Sequence, residues 1–227
     1  MGLPADRVGR RADRLRAVAG LREVAGRVAP VALAGDQLLP LVPAVAPLFP
    51  GGGLRRGSLV GISGRDSGVG ATSLALAVLA GPSAAGSWTA VVGLGALGGL
   101  AAAEHGIDLS RLALVPEPAK AWPTVVAALL DALDVVAVAP AGPVPPGAAR
   151  RLSARARERG SVLVALGPQS QAFGPDVRLQ VTGSSWSGLG RGHGSLAARR
   201  LEVVAGGRGA AARPRRATVD LPARAGP

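Results

Sequence analysis

Residues 61–80 read "GISGRDSGVGATSLALAVLA", and this stretch decides the fold. A strand-like run, Ser58 to Ser63, enters a glycine-rich turn, and a helix of small residues, Thr72 to Ala80, leaves it. That is the strand–loop–helix context of a phosphate-binding loop of pattern G-x-x-x-x-G-K-[ST], in which backbone N–H groups and a lysine hold the phosphates. Gly64, Ser67, Gly68, Gly70 and the hydroxyl of Thr72 fit such a loop, but the lysine position after Gly70 is Ala71. Five residues rather than four also separate Gly64 from Gly70. The loop has the turn and lacks its charge.

Outward from the loop, strand and helix alternate. "WTAVVGL" (88–94), "RLALVPE" (111–117), "DVVAVA" (134–139) and "SVLVALG" (161–167) read as apolar strands. Helices are expected near 98–105, over 122–133 with Pro123 in the first turn, and over the arginine-bearing 146–159. Repeated strand–helix–strand units with apolar strands imply a parallel sheet covered on both faces, an α/β fold. Further strands are expected at 176–183, 196–207 and 213–222, the last two forming a terminal hairpin around a glycine-rich turn. Before the core, residues 6–28 carry Val8, Leu15, Val18, Leu21, Val24 and Val28 in rough helical register, and Pro30 ends the pattern. The expected organisation is a basic amphipathic helix (1–30), a Pro/Gly-rich connector (31–56), a core (57–185) and a C-terminal hairpin with an arginine-rich tail (186–227).

Composition bounds the chemistry. The 227 residues suffice for one substantial core, and 48% hydrophobic content with 2% aromatics makes that core one of small side chains. The net charge of +12 is unevenly placed. Residues 1–30 carry seven Arg against three acids, 150–160 five against one, and 186–227 eight against two, leaving the remainder slightly acidic. Basic segments around a near-neutral core fit a polyanion or an acidic protein partner, and equally fit solvated arginine faces. The absence of cysteine excludes disulfides and thiolate zinc sites, and two histidines, His105 and His193, make a poor metal centre. The start lacks the apolar run of a secretory signal, and Asp131 and Asp134 interrupt the most apolar stretch, so a cytoplasmic protein with no membrane contact is expected.

From about Gly57 to Leu221 the order and spacing of these segments resemble the RecA-like core. "GSLVGISGRDSGVGATSLALAVLA" resembles its phosphate-loop unit, "TAVVGLGAL" its second strand, "HGIDLSRLALVPEP" the entry to its third, "LDVVAVA" its Walker B strand, and "RRLEVVAGGRGAAARPRRATVDL" its closing hairpin. The resemblance places the glutamate expected after the second strand at Gly95 and the Walker B aspartate at Ala139. With Ala71, three charged roles are held by small neutral residues, and phosphoryl transfer depends on positioning and charge stabilisation. No catalytic residue, metal or cofactor is therefore expected. ATP binding without turnover, or turnover through a substitute cation such as Arg55, Arg56 or Arg65, stays as an alternative. The segments that would grip single-stranded DNA are short here, "PAGPVPPG" and "PQSQAFGP", and stacking aromatics are scarce.

More narrowly, "LFPGGGLRRGSLVGI", "WPTVVAALLDALDVVAVA" and "WSGLGRGHGSLAARRLEV" through "AARPRR" are similar to the actinobacterial ImuA-like group of degenerate RecA-like mutasome accessory proteins. That resemblance implies a non-enzymatic role in the DNA-damage (SOS) response, in error-prone translesion synthesis. The partners implied are an inactive Y-family polymerase homologue and, through it, an error-prone C-family polymerase and the sliding clamp. Self-association through the N-terminal helix is a further implication. The candidate partner-binding residues are Trp186, Arg199, Arg200, Arg208, Arg213, Arg215 and Arg216; a solvated hairpin and a core-capping tryptophan are the alternatives. A basic DNA-binding regulator or RecA modulator, with weak DNA contact through phosphates, is the competing function.

Overall fold

A computed structural model describes residues 38–64, 69–189 and 194–222, all within the unit Leu38–Pro227. The helix expected over 6–28 lies outside the described residues.

The Val- and Leu-rich runs become short strands because their alternate side chains bury on opposite faces of one sheet. They are β3 (Leu59–Gly64), β4 (Thr89–Val92), β5 (Leu112–Val115), β6 (Val135–Val138) and β7 (Val162–Leu166). Every residue of β6 and β7 is buried, as a parallel sheet covered on both faces requires. Three longer strands follow, β8 (Val177–Leu189), β9 (Gly194–Gly207) and β10 (Arg215–Leu221). With β1 (Leu38–Pro40) and β2 (Gly53–Arg55) forming a separate antiparallel pair, the main sheet has eight strands in the order β10-β9-β8-β3-β7-β6-β4-β5. β3 to β8 are mutually parallel, β9 runs antiparallel to β8, and β10 runs antiparallel to β9.

Helices cover the two faces. α1 (Ala71–Ala84) lies in one core with Val60, Ile62, Val135 and Val164, and nearly all of its length is buried, which explains why its sequence is apolar all round. On the other face α3 (Trp122–Ala132) and α4 (Pro146–Arg159) bury Val126, Leu130, Ala149 and Leu152 against Leu59, Val136 and Leu163. Thus Leu59 and Val60, adjacent in sequence, belong to different cores, the period-two pattern of a strand buried on both sides. A short α2 (Gly99–Glu104) follows β4. Gly160, at φ 69°, ends α4 as a left-handed cap. Asp131 of α3 ties the two helices by accepting from Arg155 Nε at 2.7 Å and Arg159 Nε at 3.0 Å.

Two expected boundaries are corrected. The described part of the Pro/Gly-rich connector (31–56) is core rather than linker: Leu39, Val42, Val45, Leu48, Phe49 and Leu54 are all buried. Its prolines and glycines shape two 3-10 turns that let these side chains pack, and the chain runs so close to α1 that a Cβ at Gly81 would lie 2.5 Å from the Pro40 carbonyl oxygen. The division at 186 falls inside β8, ahead of its last four residues. The β9–β10 hairpin forms as expected, pairing Arg216 with Val204 and Asp220 with Arg200, but β8 pairs with β9 along almost its whole length. The C-terminal segment is therefore a three-stranded extension continuous with the parallel sheet.

Candidate functional site

The parallel strands end along one edge of the sheet, where α/β proteins carry their ligands. The loop after β3 opens there. Gly64 is half-buried, while Ser67 and Gly68, with Arg65, lie outside the described residues. Gly70 precedes α1 with φ 86°, a left-handed conformation, and no side chain caps the helix. A Cβ on Gly70 would lie 2.8 Å from Leu201 Cδ2 and 3.2 Å from Val181 Cγ1. Glycine is needed here twice over, by the turn and by the packing of β8 and β9 on it. Ala71 is 4% exposed and belongs to the main core, so the lysine position carries a buried methyl group. Thr72 follows in the first turn, half-buried.

Gly95 and Ala139 follow β4 and β6, which are hydrogen-bonded neighbours. Ala139 donates its N–H to the Val92 carbonyl at 2.9 Å, and the approach is so close that a Cβ on Gly93 would meet the Ala139 oxygen at 2.3 Å. An acidic group does reach Gly95, from the next strand over: Glu117 Oε1 lies 3.5 Å from where a Cβ at Gly95 would stand. Sequence reasoning missed Glu117, because it sits two residues past β5 rather than at the position where the motif places a glutamate.

The largest difference from expectation concerns Arg199. Strand alternation puts it on the same face of β9 as the buried Leu201, Val203 and Ala205, directly opposite Trp186 of β8. From there its guanidinium donates through Nη1 to Ser73 Oγ at 3.2 Å and through Nε to Ser184 Oγ at 2.9 Å. Its Cζ lies 4.9 Å from the centre of the Trp186 ring, a cation–π contact. No carboxylate pairs with it among the described residues, and partial burial pulls its pKa below the ordinary arginine value. Trp186 and Arg199, expected as part of a separate partner patch, thus stand beside the loop remnant. Trp186 is 52% exposed and does not cap the core.

The remaining arginines are dispersed. Arg200 faces the opposite way from Arg199 and pairs with Asp220 on β10 at 2.7 Å, which holds that carboxyl below its usual range. Arg208 lies at the far end of β9, at the opposite edge of the sheet, beside Asp176. Arg215 donates to backbone carbonyls of Arg213 and Ala210. Arg213 is exposed just before β10 and Arg216 on it. Among the described residues no group of three or more His, Asp or Glu is placed to hold a metal ion, and no helix is long and apolar enough to cross a membrane. His193 lies outside the described residues.

These features define an α/β protein built on a mostly parallel eight-stranded sheet, with a glycine-rich loop at the carboxyl edge of a central strand. The family described as MT3502 N-terminal domain matches residues 47–171, from the turns before β2 to just past β7. A protein of Mycobacterium tuberculosis (strain ATCC 25618 / H37Rv) named uncharacterized protein Rv3395c is 36% identical over 145 residues, covering 61% of this chain and 71% of that protein. The chain belongs to the MT3502 N-terminal domain family.

Proposed function

We propose that this protein is a non-catalytic RecA-like accessory protein of the ImuA type, acting in damage-induced, error-prone translesion synthesis by binding an inactive Y-family polymerase homologue. The observation that carries the reading is the absence of charge at three positions of the carboxyl edge. A loop strand, its glycine turn and its helix stand at the centre of a parallel sheet, while Ala71, Gly95 and Ala139 occupy the positions at which the resemblance expects charge. The order of strands favours a RecA-like core, with the loop strand β3 separated from the Walker B-like β6 by one strand. The relative in a mycobacterium agrees with an actinobacterial group.

Binding of the purified polymerase homologue to the full chain tests the reading. The surface most suited to it is the exposed Trp186 with Arg199 beneath it, since aromatic and arginine anchors dominate protein interfaces. Trp186→Ala is expected to weaken the complex by about ten-fold or more while the fold persists, given typical losses at such anchors. No complex with the wild-type chain would reject the function, and an unchanged complex with the variant would reject the site. The alternative, a basic DNA-binding regulator or RecA modulator, draws on the exposed Arg213 and Arg216. It requires affinity for DNA that falls steeply with salt.

A further inference from the structure

The edge of the sheet opposite the loop holds a cavity of about 750 Å³. It opens at the amino ends of β3 and β8 and the carboxyl end of β9. Three features build it. The turn at Gly57, φ 72°, lies against α4, where its Cβ would stand 3.4 Å from Arg157 Cα in ordinary contact, which brings Arg55 and Arg56 beside the last turn of that helix. Asp176 bridges the two strands, its N–H donating to the Leu59 carbonyl at 2.8 Å and its Oδ2 accepting from Leu59 N–H at 3.0 Å. Gly207 allows β9 to pass so close that a Cβ would lie 2.0 Å from the Asp176 carbonyl oxygen. The walls are fixed by backbone.

The lining is basic on one side and apolar on the other. Arg55, Arg56, Arg157 and Arg208 all line it, and Asp176 is the single carboxylate among the lining residues. Asp176 Oδ1 is shared, with Arg208 Nη2 at 3.3 Å and Arg157 Nη2 at 3.5 Å. Arg56 is neutralised by Asp134 at 2.8 Å. Arg55 is exposed, and its guanidinium has no partner among the described residues. Guanidinium groups outnumber the carboxylates that serve them, next to an apolar rim made by Leu38, which is 38% exposed, and Pro50.

We infer that this cavity is a binding site for an acidic peptide segment of a partner protein, one in which carboxylate and apolar side chains adjoin. Planar guanidinium forks match carboxylates, and their placement around one shared acid leaves donors to spare. The volume lies within the range of ligand sites. Nucleotides fit less well, because the lone aromatic of the lining, Phe49, is 3% exposed and offers no face for a base to stack on. The chain's own first thirty residues, with seven arginines against three acids, carry the wrong sign, and so does a second copy at net +12. The site is distinct from the Trp186 surface and stands or falls apart from it.

The test is fluorescence anisotropy of the full chain with a labelled eight-residue peptide of alternating Asp and Leu. An Asn/Leu peptide of the same length, ATP and inorganic phosphate serve as competitors. The acidic peptide should bind, and only its unlabelled copy should displace it at comparable concentration. Arg55→Glu should weaken it by about ten-fold, the scale of one charge-assisted hydrogen bond. Arg157→Glu should do the same independently, and Arg150→Glu, exposed on α4 and outside the cavity lining, should leave it unchanged, each variant melting as a folded protein. Equal binding of the Asn/Leu peptide, equal losses at Arg150, or no loss at either cavity arginine would overturn the inference. Stronger displacement by ATP or phosphate would reassign the cavity to a small anion and overturn it likewise.

Discussion

At the scale of single residues, Ala71 and Gly70 divide the two meanings of the loop. Gly70 serves architecture: Gly70→Ala forces a side chain into φ 86° and within 2.8 Å of Leu201, and should cost about 1–3 kcal/mol in a urea titration. Ala71 stands where the resemblance to a phosphate loop expects a lysine. Ala71→Lys should yield no ATP turnover above a buffer blank, because Gly95 and Ala139 would still lack the carboxylates that place metal and water. Measurable turnover would mean that Glu117, beside Gly95, serves in their place. The places of Ala71, Gly95 and Ala139 at the ends of their elements were legible in the sequence from the order of strands and helices. The presence of Arg199 at the loop was not, since it is joined to Ser73 across 126 residues of sequence and only the fold makes them neighbours.

Among the elements, the helices and parallel strands were legible because their periodicities are strong: α4 was expected over 146–159 and spans Pro146–Arg159. The segment before β2 was misread, since proline and glycine signal turns whatever the turns bury. Its apolar residues Leu39, Val42, Val45 and Leu48, set among the prolines, are the part of the segment that the core buries. The strand expected over 176–183 was too short, since pairing with β9 carries β8 on to Leu189 across a register shift between Val181 and Gly183. Deleting residues 186–227 would therefore remove Leu201, Val203 and Val219 from the core, and the truncated chain should lose cooperative unfolding altogether. The α3–α4 clasp gives a pH-dependent element. Hydrogen bonding from Arg155 holds the Asp131 carboxyl below its usual range. Its folded pKa thus lies below its unfolded one, so the pair's stabilisation is complete above the ordinary carboxylate range and disappears as pH falls through the folded value. Asp131→Asn should lower the urea midpoint slightly at neutral pH, and the difference from wild type should vanish in acid.

At the scale of the whole molecule, two arginine-bearing surfaces of the described residues stand on opposite edges of the sheet. One is the Trp186–Arg199 surface beside the loop; the other is the arginine-lined cavity at the amino ends of β3 and β8. Sequence reasoning grouped Arg199, Arg200 and Arg208 by proximity along the chain, whereas strand alternation and strand length set them on different faces and ends. Under the proposed function these two surfaces are the ones suited to holding partners. The central claim is tested most directly by affinity capture of the full chain from cells with damaged DNA, followed by mass spectrometry. The account predicts an inactive Y-family polymerase homologue as the dominant partner of the wild-type chain, with markedly less on Trp186→Ala. Capture of nucleic acid alone, or of no polymerase homologue, would contradict it.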